Sequence, residues 1–481
     1  MAMRICLTGQ SDFVNLLVFA VLGESQLASV GASFEKRSRV YKRIMMEIKP
    51  FKAVRFDAKH VGDVSACVSP PYDVINDKQQ NQLYEKSDYN IVRIILGKKE
   101  ASDDEDNNQY TRAAGYLKKW LAEGALKQDS QEAIYGYVQD FQAGGKAYRR
   151  FSFIALAKLE QFGDIVRPHE KTMDAPIVDR LNLNRATGAK FGLVFMLYED
   201  KKQVAETVIE KAMKQQPQID FTDEQGVRHR LFSITGEEDT KAIAEMMQDK
   251  KCVIADGHHR YTTALKYKQE NDNPAAAFQM LAFSNTAHEG LVVLATHRLV
   301  DNLPDFDFEK FLGELKSDFE ITEFHFDSEK DKADAKEKML LQMKKEHRQG
   351  RNGFGIYGGN GNFYVAALKD RSAMDSVAAQ MSEAWLSLDV SVLHKLILEK
   401  LLKIGEKELA SKSNLEYVKD TQGAVDYSIA KVDSGEKQAA FFTNPERIEQ
   451  IHKVADAGEV MPQKSTYFYP KVFTGLTINK L

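Results

Sequence analysis

Cysteine is scarce: Cys6, Cys67 and Cys252 are the only three in 481 residues. That is too few for a disulfide framework, and their separations match no metal-ligand spacing. Charge of one sign is lacking as well. A net charge of −4 and a pI near 6.3 leave no basic footprint for nucleic acid, so no nucleic-acid partner is expected. Long apolar runs are missing too. Phe13–Leu22 is apolar over ten residues, too short to span a bilayer, so no membrane partner is expected. The chain contains no H-E-x-x-H, no G-x-S-x-G elbow, no P-loop and no G-x-G-x-x-G. Repeats and low-complexity tracts are also absent. What remains is an ordinary globular composition, 43% hydrophobic and 28% charged, long enough for two or more cores. So few cysteines make a reducing cytoplasm the expected compartment.

The chain changes character at Met46. Before it, Phe13–Leu22 follows Arg4 in the manner of a signal peptide, but Asp12 and Asn15 interrupt the pattern. Residues 1–45 are therefore expected to lie outside the fold, as a mis-start or a weak signal-like segment. From Met46 onward, strand-like and helix-like patterns alternate. The expected organisation is an N-terminal α/β region over 46–304 and a C-terminal α+β region over 305–481.

Several elements are legible locally. Pro70-Pro71 makes a rigid loop that presents Tyr72 and Asp73, and Asn76 or Asp77 then caps a helix over Lys78–Lys86. Tyr89–Leu96 reads as a strand. Ala133–Phe141 and Arg149–Leu159 read as a hairpin joined through Gly144-Gly145. Trp385–Ile404 reads as one long amphipathic helix, capped near Ser387 and stopped at Gly405.

The most informative stretch is Lys251–Glu270, KCVIADGHHRYTTALKYKQE. Cys252–Ala255 is an apolar run of strand length, Asp256-Gly257 breaks it, and a helical pattern follows. His258, His259 and Arg260 then occupy the first helical turn. Free N–H groups and a partial positive charge make a helix start suited to an anion. Gly257 permits close approach of the backbone, and Arg260 is able to pair bidentately with phosphate. Three other polar clusters interrupt the apolar patterning: Tyr72-Asp73, His169-Glu170 with Arg180, and Lys464-Ser465-Thr466. His297-Arg298 belongs with the Asp256–Arg260 turn. A cation and two hydroxyls at 464–466 suit a phosphate-binding loop. No spacing fits a protein-held transition metal, so no metal ligands are expected; magnesium arriving with a nucleotide needs only one or two carboxylates.

CVSPPYDVI, VRPHEKT with its downstream DRL, VIADGHHRYTTAL, THRLV, LDVSVLHKLIL and MPQKSTYFYPK occur in that order. Together they resemble the bacterial and archaeal family called domain of unknown function 1015, from about Met46 to the C-terminus. More distantly, DGHHRYTTAL is similar to the signature helix of the ParB/sulfiredoxin superfamily, in which such a turn holds nucleotide phosphates. The archaeal ADP-dependent free serine kinase is one of its members. The resemblance implies a mixed α+β fold with a ParB/sulfiredoxin-like nucleotide-binding core and additional α+β elements. It also implies a nucleotide-dependent phosphotransferase, kinase-like, acting on free serine or phosphoserine, with Mg2+ and ADP or ATP. His258 stands where sulfiredoxin has its reactive cysteine, so sulfinic acid reduction is not expected.

In this reading Asp256, Gly257, His259, Arg260, Arg298, Lys464, Ser465 and Thr466 form the nucleotide site. Glu170 or Asp73 acts as general base, with His169, His258 and His259 as alternatives. Tyr72, Arg180 and His297 belong to the substrate side. A phosphoserine phosphatase with the same site, and a non-catalytic nucleotide-binding regulator, are the rival readings.

Overall fold

Two sheets carry the architecture. In the computed structural model, residues 45–405, 408–409 and 413–481 are described; the expected leading segment up to residue 44 lies outside them. The larger sheet has nine strands and runs Val166–Arg167, Cys252–Asp256, Val194–Tyr198, Phe278–Asn285, Lys146–Lys158, Ile134–Ala143, Arg228–Ile234, Ile219–Thr222, with Ile48–Lys49 added beside Lys146–Lys158. It is mixed. Cys252–Asp256 is parallel to Val166–Arg167 and antiparallel to Val194–Tyr198, which in turn is parallel to Phe278–Asn285. Both faces are buried: Tyr135, Tyr137 and Leu156 face one core, and Ile134, Val138 and Ala155 face another. That two-sided burial explains why these strands read as nearly continuous apolar runs. Each large side chain so buried contributes about 1.5–3 kcal/mol relative to exposure.

The second sheet has six antiparallel strands, in the order Phe319–His325, Asn362–Leu368, Gly353–Tyr357, Ala439–Phe442, Thr296–Val300, Leu415–Lys419. The chain enters it at Thr296 and later comes back to the first region. Tyr467–Tyr469 pairs with Val292–Leu294, Thr474 bridges Ser69, and Asn479–Lys480 pairs with Ala189–Lys190. The mixed α+β class expected from the sequence is the class observed.

The locally signalled elements form where expected. Ile134–Ala143 and Lys146–Lys158 make the hairpin through Gly144-Gly145. Asn76 caps the helix Asp77–Lys86 by accepting the Gln79 N–H, and the Gln79 side chain returns the bond. Two readings are corrected. Tyr89–Leu96 is not a strand but contains the short helix Val92–Ile95. The Asn90 side chain starts it by accepting the Val92 N–H at 2.9 Å while donating to the Ala66 and Val68 carbonyls. Burial of Ile91, Val92, Ile94 and Ile95 overrides their β-branched preference. Trp385–Ile404 is not one helix either. Ser382, not Ser387, caps the turn Glu383–Leu386, and Leu388 then goes extended. A second turn Asp389–Val392 runs into a wider π-helical segment, Leu393–Leu401. The break lets the Val390 N–H reach the buried Glu446 carboxyl at 2.9 Å.

Candidate functional site

The stretch Cys252–Glu270 folds as strand Cys252–Asp256 and helix His258–Glu270, with Gly257 between them at φ 91°. No side chain caps this helix, so its first N–H groups stay available at the strand's C-terminal end. Gly257 is required twice over. Its φ is left-handed, and a Cβ there would lie 3.0 Å from the Arg260 guanidinium carbon. That contact also shows where Arg260 goes: it folds back beneath the turn. Its guanidinium meets Asp256 Oδ2 at 3.2 Å and Asp73 Oδ2 at 3.7 Å, and donates to the Leu193 carbonyl. The side chain is only 8% exposed.

In front of the turn opens a cavity of about 540 Å³. Asp73, Glu170 and Asp256 line it, as do Lys464, Thr466 and, from the second sheet, Lys419. Lys471 and Tyr467 complete one wall. Among the described residues, the Glu170 carboxylate has neither an ion-pair nor a hydrogen-bond partner. Burial opposes ionisation of Asp256, but Lys471, 3.6 Å away, and Arg260 outweigh it and hold the carboxyl well below the usual range. Lys419 and Lys471 each sit 4.6 Å from the centre of the Tyr467 ring. Burial first, then the neighbouring Lys471 and Lys464, brings the Lys419 ammonium down to about 8.

Three histidines stand behind the cavity, and each uses its acceptor nitrogen within the protein. His169 donates from Nδ1 to the Ile254 carbonyl, which leaves Nε2 to accept from the Thr466 hydroxyl at 2.9 Å. His258 Nε2 accepts the His169 N–H at 3.2 Å, and the two rings meet edge to face. His259 Nε2 accepts the Met173 N–H at 2.9 Å. Burial lowers the pKa of all three, so the neutral form prevails.

The other predicted residues fall into distinct places. Tyr72 and Arg180 stack at 4.0 Å and, with Arg260, line a separate cavity of about 40 Å³ behind the turn. Arg298 is 1% exposed and does not reach the large cavity. It holds the loop instead, donating to the Lys464 carbonyl at 3.0 Å. Ser465 turns inward and donates to the Pro462 carbonyl. His297 points to the opposite face of its strand, towards Asp420 at 3.4 Å and the Thr443 N–H at 3.3 Å.

Lys419, Tyr467 and Lys471 were not read from the sequence. Lys471 was within reach, because it closes the MPQKSTYFYPK motif. Lys419 ends the ordinary strand Leu415–Lys419 and carries no local signal. Among the described residues no group of three or more His, Cys, Asp or Glu is arranged to hold a metal ion, and no helix is long and apolar enough to cross a membrane.

Among solved structures, the chain is similar to a free serine kinase in complex with AMP, at 13% identity and a TM-score of 0.32, covering 63% of this chain and 83% of that one. A conserved hypothetical protein from Pyrococcus furiosus matches at 14% identity and a TM-score of 0.30, over 66% of this chain and 94% of its own. SbnI with C-terminal truncation, from Staphylococcus aureus, matches at 10% identity and a TM-score of 0.31, over 68% and 87%. No curated protein matches the sequence. The family model described as protein of unknown function (DUF1015) matches residues 48–391, and the chain belongs to that family.

Proposed function

We propose that this protein is a nucleotide-dependent phosphotransferase acting on free serine or phosphoserine. The observation that carries the reading is the large cavity itself. The cations Lys464 and Lys471 share it with Asp256, the last residue before the uncapped helix start, and with Glu170, a carboxylate that has no protein partner among the described residues. The N–H groups after Gly257 and the two lysines suit the phosphates of a nucleotide. Lys464 neutralises charge developing on the transferred group. The choice of serine rests on the resemblance of DGHHRYTTAL to the superfamily that includes the free serine kinase.

Glu170 is the base best placed to take the proton of a serine hydroxyl. His169, His258 and His259 have their acceptor nitrogens occupied, so none is free to do so. Arg260 acts through others: it fixes Asp256 and Asp73 rather than touching phosphate. Arg298 likewise positions Lys464 through its carbonyl. With Glu170 kept as the base, Asp73 is the carboxylate on hand for a hydrated magnesium ion brought in with the nucleotide, which would neutralise phosphate charge.

The test is to incubate the protein with magnesium, serine and ADP or ATP, and in parallel phosphoserine with AMP, ADP or water. Phosphoserine made or consumed by the wild type, and reduced about 10²–10⁴-fold in Glu170→Gln, supports the reading. Phosphate released from phosphoserine without nucleotide would make the protein a phosphatase. Nucleotide bound with no turnover in either direction would make it a regulator.

A further inference from the structure

A second cavity, of about 240 Å³, adjoins the first. The two share walls: Val74, Ile75, Tyr467, Lys419 and Lys471 line both. Both linings are mixed, but the annex adds an aliphatic and aromatic wall. Val68, Leu83, Phe221 and Phe473, with the shared Val74 and Ile75, stand there beside polar groups that include Lys86, Asp223 and Glu224. Phe221 and Phe473 are held as a set. Phe221 stacks on His229 at 4.7 Å, Phe473 packs on the same ring at 4.4 Å, and His229 is fixed by Asp223 at 3.0 Å. Gln79 and Gln82, on the helix Asp77–Lys86, add amide donors and acceptors at the edge.

Charge gives the pair of cavities a direction. Lys419 and Lys471 stand where they meet, and among the described residues Lys419 has no ion-pair partner. The charged groups that line only the annex are engaged: Asp223 with His229 at 3.0 Å, and Glu224 with Lys86 at 3.6 Å. An elongated ligand with one anionic end and one flat, weakly polar end fits in a single orientation: anion at the lysines, flat end between the aliphatic and aromatic walls. A nucleoside phosphate has that form, and rings of this kind stack on aromatic faces with little demand for sequence-like readout.

We infer that the annex is the nucleobase pocket of this protein, with Lys419 and Lys471 gripping the nucleotide's phosphates at its mouth. This rests on the nucleotide reading above and extends it. Lys419 comes from the six-stranded sheet and Phe221 from the nine-stranded one, so both sheets contribute to binding.

Calorimetry with ADP and with pyrophosphate, each with magnesium, tests the pocket apart from the phosphate site. Two variants are used. Phe221→Ala removes a wall, and Gln82→Trp fills the annex from an exposed helix position without disturbing a core. Wild type should bind ADP more tightly than pyrophosphate. Each variant should weaken ADP about tenfold or more and leave pyrophosphate within about twofold, since loss of one stacked base costs roughly 1–3 kcal/mol. Equal wild-type affinities for the two ligands would overturn the annex proposal and leave the phosphotransferase reading standing, as would unchanged ADP binding in Gln82→Trp. Failure of both ligands to bind wild type would overturn the nucleotide reading itself.

Discussion

Replacing Arg260 by alanine should destabilise the fold, not only weaken ligand binding. The guanidinium is 8% exposed and contacts Asp256 at 3.2 Å, Asp73 at 3.7 Å and the Leu193 carbonyl. Removing one partner of a buried pair costs about 3–5 kcal/mol, because the other charge stays buried without compensation. Asp256 would keep Lys471 at 3.6 Å, which places the loss towards the lower end of that range. Asp73 is one-third exposed and adds little, about 0–1 kcal/mol. The expected loss is therefore about 3 kcal/mol at pH 7, read from urea unfolding of both proteins. The pH dependence has a definite sign. In the wild type the folded-state pKa of Asp256 is depressed, so its stabilisation is full above the unfolded value and fades as pH falls through the folded one. Without Arg260 the folded pKa rises, and above the unfolded value the buried carboxylate becomes a cost. The gap between the two proteins should thus be widest above about pH 4 and close below it. A loss under about 1 kcal/mol at pH 7, or a gap that stays constant down to pH 2, would refute the view that Arg260 serves its carboxylates.

Gly257→Ala should cost about 1–3 kcal/mol of stability in denaturant titration, since a side chain at φ 91° is strained and its Cβ crowds the Arg260 guanidinium. A cost below about 0.5 kcal/mol would mean that the turn relaxes freely. Lys419 carries a pKa near 8 in the free protein, so its charge is present below that value and lost above it. ADP affinity measured from pH 7 to pH 9 should therefore fall as pH rises through about 8. Lys419→Arg should flatten that fall, and a fall of equal depth in the variant would exclude Lys419. Turnover should stop on chelation with EDTA and return with magnesium; stoichiometric zinc or iron in elemental analysis of the purified protein would contradict the expectation of no tightly held metal.

The parts of the fold that could be read from the sequence are those whose causes lie within a few residues. The Asn76 cap, the Gly144-Gly145 hairpin and the strand–Gly257–helix unit each carry their own chemistry in order along the chain. Tyr89–Leu96 reads as a strand because a buried apolar run gives the same pattern in either form; the deciding bonds come from Asn90 to a segment more than twenty residues away. Trp385–Ile404 reads as one helix for a similar reason. The break at Leu388 answers Glu446, whose carboxyl accepts from Val390 across 56 positions. The site divides along the same line. The four polar clusters could be found by residue type, but not which way each faces. Arg260 turns under its own glycine, Ser465 turns into its loop, and Arg298 spends its donors on the backbone carbonyls of Thr296 and Lys464. Lys419 has nothing around it in sequence that sets it apart from any lysine at a strand end.

The walls of the large cavity come from positions as distant as Asp73, Glu170, Asp256, Lys419 and Lys471. No contiguous fragment of the chain can present that surface, so the site exists only when nearly all of the described fold is in place. A ligand that binds there acts as a clasp on the whole molecule. At a concentration of 100 times its dissociation constant it would add about 2.7 kcal/mol against unfolding, and partial openings of either sheet that pull a wall away would be suppressed with it. Hydrogen exchange in the presence of nucleotide should slow in strands far from the cavity as well as beside it. Under the proposed function, a shortage of nucleotide would leave the fold easier for proteases to open.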